Sequence, residues 1–220
     1  MAEKYGTIPK KFTKAWWEYF WEYYKVHTIV SAVVVVAVVS TIYGAVTAPK
    51  YDFYMTYATG GYIDNDSVNK VGEVLSEYIE DTNQNGEKLV SSSCYTFSDG
   101  EQDAQYLSTM ITKLHLDFVV DEVMLFVFSE DKTKYYFDSN SLSGAFKPVG
   151  EWVTDKNSDL KTYSFYGEEY AVSLENSKVL KDAGIKCDDL YVAVRAYETD
   201  DEEVKSRMRS AIAVANDVIK

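Results

Sequence analysis

The residues whose types and spacing come closest to a chemical motif lie in a short polar segment. Residues 81–86 read Asp-Thr-Asn-Gln-Asn-Gly, with oxygen-bearing side chains at the first, third and fifth positions. A calcium loop begins in this way, but its twelfth position needs a bidentate acid, and Ser92 stands there. Asn and Gly also adopt the backbone angles of tight turns. The pattern therefore favours a helix-to-strand turn over a metal site.

Groups for nucleophilic catalysis are scarce in the sequence. The two histidines are His27, beside a long apolar segment, and His115, near the end of a predicted helix. No nucleophile elbow, zinc-protease motif, Cys-x-x-Cys pair or phosphate-binding glycine loop occurs. Cys94 and Cys187 form either one disulfide or two buried thiols, because sequence separation does not give the Cα distance. We expect a non-enzymatic protein with no metal and no cofactor.

Candidate ligand-binding residues follow from the rule that open α/β sheets bind ligands beyond the carboxyl ends of their strands. One predicted strand ends at residue 59, and a later helix is predicted to begin at residue 98. The candidates are Thr59, Gly60, Gly61, Tyr62, Ser98 and Asp99. The alternative is that these six residues only form turns and a helix cap.

An apolar segment of 23 residues, 26–48, contains no Asp, Glu, Lys or Arg. As a helix it spans a hydrocarbon core of about 30 Å. A soluble core helix is rarely apolar on every side. A cleavable signal peptide is the stronger alternative. However, the apolar region and the leader of a signal peptide are both shorter than those of this chain, and Pro49 would directly follow the cleavage site. We expect a retained signal anchor.

The positive charges flanking this segment predict its orientation. Lys10, Lys11, Lys14 and Lys25 precede it, whereas only Lys50 follows closely. Lysine is enriched on the cytoplasmic side of membrane spans. The expected organisation is a cytoplasmic juxtamembrane segment (1–25), a transmembrane helix (26–48) and an extracytoplasmic domain (51–220).

The segment before the span is rich in aromatic residues. Trp and Tyr settle at the headgroup level of membranes, so these side chains predict an interfacial belt or a docking surface for another membrane protein. Small residues at a spacing of four, Ser40, Gly44 and Ala48, permit close approach of a partner helix. The expected interface residues are Trp16, Trp17, Phe20, Trp21, Tyr24 and Lys25.

The net charge argues against nucleic acid as a partner. Residues 1–25 carry five Lys and three Glu, so the −13 of the whole chain leaves −15 on the remainder. A domain of that sign repels phosphate backbones over about a Debye length. Its roughly 170 residues fit one globular core.

Apolar periodicity predicts an α/β domain. Helices are expected at residues 68–79, after a capping box at 98–101, and after a cap at 199–202. The second helix should bury Tyr106, Leu107, Met110, Ile111 and Leu114. Residues 118–120 have the pattern of a strand, and residues 129–134 that of a turn. Strands are expected at 51–59, 88–97, 123–128, 163–166, 170–174 and 189–197, with the fourth and fifth forming a hairpin. This order indicates a largely parallel three-layer sheet.

Several segments together resemble a known group of proteins. They are the aromatic-Lys-Val-His-Thr entry at residues 23–28, the extended run 51–54, the turn 81–88, the block 114–128 and the strand 190–197. They resemble single-pass membrane proteins of Gram-positive anaerobic (clostridial-type) bacteria, a group without an assigned role. The resemblance implies an outer domain similar to a reduced periplasmic solute-binding protein, in which about 170 residues cannot supply two full lobes.

The leading hypothesis is a membrane-anchored extracytoplasmic domain that interacts with a membrane complex or with its own copies. The alternative is a tethered solute-binding protein that serves a transporter, which requires a closable cleft. An enzyme is the third reading, and it requires a pocket carboxylate with a strongly shifted pKa.

Overall fold

The chain divides into two compact units between Pro49 and Lys50. The computed structural model describes residues 9–97, 103–138, 144–155, 160–165 and 167–220. In the first unit, helix α1 (Lys14–Thr47) runs for 34 residues, or about 51 Å. Thr13 caps it by accepting a hydrogen bond from the Trp16 N–H at 3.3 Å.

The second unit alternates strands and helices. Six helices and six strands follow α1 within the described residues. In chain order they are β1 (Phe53–Thr59), α2 (Asn65–Leu75), β2 (Val90–Thr96), α3 (Ala104–Val119), β3 (Val123–Ser129), α4 (Glu130–Asp138), α5 (Val149–Trp152), β4 (Thr162–Phe165), β5 (Glu168–Ser173), α6 (Lys178–Asp182), β6 (Leu190–Val194) and α7 (Glu202–Val218). The α/β class and the predicted β4–β5 hairpin are confirmed.

The six strands form one mixed sheet in the order β2-β1-β3-β6-β5-β4. Strand β1 runs parallel to β2 and β3, whereas β6 is antiparallel to β3 and to β5, which is antiparallel to β4. The prediction of a largely parallel sheet is therefore wrong. The segment between β3 and β6 contributes the β4–β5 hairpin to the same sheet, and β6 begins at the end of the sheet where β3 ends.

Two apolar layers sandwich the sheet. Strand β3 is buried along all seven residues because it lies in the middle of the sheet. One face packs against α2, α5, α6 and α7, with Phe53, Leu75 and Trp152 in the shared core. On the other face, Phe126 and Phe128 of β3 pack in one cluster with Leu114 of α3 and with Phe146. Helices therefore cover both faces, as the three-layer prediction required.

Three local predictions were wrong. Residues 118–120 end α3 rather than forming a strand, and residues 129–134 enter helix α4 rather than a turn. Asp103 caps α3 by accepting the Gln105 N–H at 2.7 Å, while the predicted capping box at 98–101 lies outside the described residues. Tyr106 and Ile111 are exposed, and only Leu114 of α3 is fully buried, because α3 contacts the sheet over a narrow stripe.

The buried carboxylate of Asp52 fixes the start of β1 against the turn that leads into β2. Its Oδ1 accepts hydrogen bonds from Thr82 N at 2.9 Å and from Asn83 Nδ2 at 2.8 Å, among others. Its Oδ2 accepts from Leu89 N at 3.1 Å. Asp52 is 1% exposed, so these bonds replace its hydration. They set the register that pairs Phe53 with Val90.

A buried arginine joins the end of β6 to the end of α3. Arg195 follows β6, and its guanidinium donates to the carbonyl oxygens of Phe118 at 2.7 Å and of Val120. These carbonyls close helix α3, whose C-terminal dipole favours a cation. Desolvation by burial lowers the pKa of Arg195.

Candidate functional site

A groove of about 470 Å³ opens at the carboxyl end of β1. It lies between the β1–α2 connection and the loop that precedes β6. Its volume falls in the range of small-molecule sites, about 300–1,000 Å³. The lining residues are Thr59, Gly61, Tyr62, Ile63, Asp64, Gly184, Ile185, Lys186, Asp189 and Leu190.

The first wall begins where β1 ends. The Thr59 hydroxyl donates to the Gly61 carbonyl oxygen at 2.7 Å, which closes the turn after the strand. The Phe97 N–H donates to the Thr59 carbonyl oxygen at 2.8 Å, so β2 continues to support this turn. Tyr62 projects beyond it with 79% of its surface exposed. An exposed aromatic ring at a groove rim is available for stacking against a ligand.

The same wall ends at the first turn of α2. Asp64 caps the helix, since its Oδ1 accepts the Ser67 N–H at 2.9 Å and its Oδ2 accepts the Ser67 hydroxyl at 2.7 Å. The Ser67 hydroxyl bond, followed by the backbone bond, lowers the pKa of Asp64. Both carboxylate oxygens are therefore engaged in capping, and Asp64 acts in the helix start.

The second wall is the loop between α6 and β6. Gly184 has a φ of +85°, a conformation that favours glycine, and it turns the chain after α6. Ile185 is buried and fastens the loop to the core. Lys186 and Asp189 then bring one positive and one negative side chain to the groove. With Tyr62 opposite, the arrangement suits a small polar ligand that carries both a charge and a flat face.

The predicted ligand residues divide into two groups in the structure. Thr59, Gly61 and Tyr62 line the groove, and Gly60 lies in the same turn without lining it. Ser98 and Asp99 lie outside the described residues.

The sequence does not indicate Lys186 and Asp189 as groove residues. A parallel β6 would have placed its preceding loop at the amino ends of the strands. Because β6 is antiparallel to β3, that loop instead meets the carboxyl end of β1.

Helix α1 is long and apolar enough to cross a membrane, as judged from its length and composition. Every residue from 29 to 48 is exposed within this unit, so apolar side chains lie on all sides of the helix. The predicted span forms one continuous helix with the aromatic segment before it.

The aromatic residues of α1 form a stacked row. Trp16 stacks on Phe20 with ring centroids 5.4 Å apart, and Phe20 stacks on Tyr24 at 5.6 Å. This spacing of four places the three rings on one side of the helix. Trp17, Trp21 and Lys25 are exposed.

The remaining candidates for chemistry have structural contacts. The Asp81 carboxylate accepts the N–H groups of Asn85 and Gly86 at 3.3 and 2.9 Å, as in a turn. Among the described residues, no three His, Cys, Asp or Glu side chains form a group able to hold a metal. Cys94 and Cys187 are free thiols. Burial raises the pKa of Cys94 to about 11, which disfavours the reactive thiolate.

No family model, no curated protein and no solved structure matches the chain.

Proposed function

We propose that the chain is a single-pass membrane protein with a cytoplasmic N-terminus and an extracytoplasmic α/β domain that acts, without catalysis, as a partner in an envelope or membrane complex. The observation that carries the proposal is the apolar surface on all sides of α1. A helix of this kind has a favourable environment in lipid, where its backbone groups are already paired. The four lysines before the span support the orientation.

A surface of the domain supports the interaction role. Leu116, Val119 and Val120 form an exposed apolar tip at the end of α3, and 75% of the Val119 surface is accessible. Their spacing of three and four places Leu116 close to the other two. Exposed apolar side chains that lie together, rather than singly, are typical of protein contacts.

The membrane part of the proposal is tested by alkaline extraction and by protease treatment of intact cells that carry a C-terminal tag. We expect the full chain to stay in the membrane pellet and the tag to be digested. A protected tag would contradict the orientation, and release into the supernatant would contradict the anchor.

The interaction part is tested by purification of the full chain in mild detergent, with mass spectrometry of co-purifying proteins. Val119→Lys places a charge in the apolar tip, and we expect at least a tenfold loss of the partner, as for a central contact residue. Ser108→Lys, an exposed position on α3 about 12 Å nearer the start of the helix than Leu116, adds the same charge and should retain the partner. Equal recovery with both variants would exclude the tip.

The groove favours a second candidate function, a tethered solute-binding protein similar to a reduced periplasmic-binding-protein fold. Tyr62, Lys186 and Asp189 supply the stacking and charged contacts that a small polar solute needs. A thermal-shift screen of amino acids, sugars and small carboxylates against the full chain tests it. A rise in Tm that disappears in Lys186→Ala and persists in Lys181→Ala would support binding. No rise with any compound class would count against it.

A further inference from the structure

Strand β2 is an open edge of the sheet. It pairs with β1 on one side, and within the described residues no strand pairs with its other side. The Leu89 carbonyl oxygen and the Phe97 N–H point toward β1. Because backbone direction alternates along a strand, the N–H and C=O groups of Val90, Ser92 and Cys94 point outward. These residues are half-buried, so solvent reaches the edge.

The composition of β2 leaves this edge without the usual protection. Residues 89–97 read Leu-Val-Ser-Ser-Ser-Cys-Tyr-Thr-Phe, with no charged residue and no proline. Natural edge strands are commonly shortened, bulged, charged or interrupted by proline, because an open edge pairs with other chains. The pairing of β1 with β2 is continuous over seven residues.

We propose that β2 pairs with β2 of a second copy of this chain, in antiparallel orientation, to form a continuous sheet across a twofold axis. Charge restricts where two copies can meet. Residues 50–220 carry −15 overall, so two copies repel each other wherever acidic side chains meet, and the uncharged β2 segment is a surface that avoids this contact. Three consecutive serines allow a second strand to approach closely and can form cross-strand hydrogen bonds.

The direction of the backbone groups restricts the register of the pair. Outward groups must face outward groups, so Val90, Ser92 and Cys94 must lie opposite even-numbered residues of the second copy. Full overlap of the seven residues then places Ser93 opposite Ser93 and Ser92 opposite Cys94. Ser93 occupies a non-hydrogen-bonded position, where the two Cα atoms lie about 4.5 Å apart. A C2 contact of this kind is closed and does not extend into a filament.

The groove on the α2 side leaves room beside this edge. It lies between α2 and β2 and has a volume of about 650 Å³, with Ser92 in its wall. Side chains of the second strand on this face meet open space rather than a clash. The self-pairing names a partner for the interaction role given under the proposed function. It rests on that function for one step: both copies are tethered in one membrane, and this raises their effective concentration.

Disulfide crosslinking of the full chain in membranes tests the register. The background is Cys94→Ser with Cys187→Ser, and Ser93→Cys is the test variant. Ser91→Cys is the matched control, since it lies on the same face of the same strand but its two copies would stand roughly 14 Å apart. With an oxidant, we expect Ser93→Cys to form a species of twice 25.0 kDa. Ser91→Cys should give at least tenfold less of it.

Ser92→Pro, in a chain that keeps its native cysteines, tests the edge independently. It removes an outward N–H without touching the bonds to β1, and proline is tolerated at such positions. Analytical ultracentrifugation in detergent should show a dimer for the native chain and a monomer for Ser92→Pro. A native monomer would overturn the proposal, as would equal crosslinking of both cysteine variants or a Ser92→Pro dimer. If Ser92→Pro instead released a different protein from a monomeric native chain, the edge would belong to that protein.

Membrane extraction of the same samples separates this result from the proposed function. If the chain stays in the pellet but does not crosslink, the membrane anchor is supported and only the self-pairing proposal is contradicted. If the chain leaves the pellet but forms the Ser93→Cys dimer, the self-pairing is supported and the anchor is contradicted.

Discussion

The two edge strands of the sheet are built in opposite ways. Strand β2 has seven residues, and residues 89–97 carry no charge. Strand β4 has four residues, and its pairing with β5 is interrupted by a register shift between Tyr163 and Ser164. Acidic residues lie directly opposite its end, since Ser164 pairs with Glu169 and Phe165 pairs with Glu168. Shortness and irregularity of an edge strand both discourage edge pairing, and the acidic residues of β5 lie one strand away from this edge.

The same sheet therefore has one edge, β4, that is protected against pairing with another strand and one edge, β2, that is open to it. Both edges belong to one acidic domain and to one sheet, so a general demand for solubility acts on both. Only β4 shows the features that meet this demand. The open state of β2 is therefore specific to that strand, and this supports its role as a contact surface.

The largest loss of stability is expected when the buried Asp52 carboxylate, which links the start of β1 to the turn before β2, is removed. Asp52→Ala deletes the buried acceptor of the N–H groups of Thr82, Asn83 and Leu89. Leaving several donors unpaired should lower the free energy of unfolding by about 3 kcal/mol. Pulse proteolysis of the full chain in urea measures this loss. Hydrogen exchange should show protection lost at residues 90–96 more than at residues 162–173.

The matched control for this variant is Asp81→Ala, in the same turn. Its carboxylate accepts two backbone N–H groups at the surface, where water can replace it. We expect a loss of less than about 1 kcal/mol. Equal losses for the two variants would show that the turn as a whole, and not the buried carboxylate, holds the edge.

Much of the β2 half was predictable from sequence, because its signals are local. The strand at 51–59, the helix at 68–79 and the turn at 81–86 each depend on residues within one short window. The other half was harder. The direction of β6 depends on how the hairpin joins the sheet, which no local pattern encodes, and this hid Lys186 and Asp189 from the groove prediction. The sequence predicts a wider buried face of α3 than the structure has, because periodicity does not show how much of the sheet lies beneath a helix.

A smaller effect is expected at the contact between α7 and the segment after α2. Glu80 accepts hydrogen bonds from Arg209 Nε at 2.9 Å and Arg209 Nη2 at 2.8 Å, and from the Ser206 hydroxyl at 2.5 Å. These bonds, with Arg209 first and Ser206 second, lower the pKa of Glu80 from 4.5 to about 2. A folded-state pKa below the unfolded value means that the carboxylate stabilises the fold above pH 4.5. The contribution is lost as the pH falls toward 2.

Glu80→Gln should therefore cost about 1 kcal/mol at pH 7, since solvent screens this half-exposed pair. The difference from the native chain should shrink between pH 4.5 and pH 2. Glu202→Gln, which removes an exposed partner of Lys205 within α7, should leave stability nearly unchanged at all these values. Urea unfolding at four pH values provides the measurement. A Glu80→Gln cost that does not vary with pH would contradict the ionic origin.

The smallest effect is expected at the protected edge. Ser164→Cys, in the same cysteine-free background as the β2 variants, places an exposed thiol on β4. The four-residue length of β4 and its register shift leave few ladder hydrogen bonds for a second β4 strand, which disfavours antiparallel pairing of two copies at this edge. Under the oxidant that crosslinks Ser93→Cys, we expect only the low yield of random encounters. A Ser164→Cys dimer as abundant as the Ser93→Cys dimer would mean that crosslinking reports collisions in the membrane. It would contradict the difference proposed between the β2 and β4 edges.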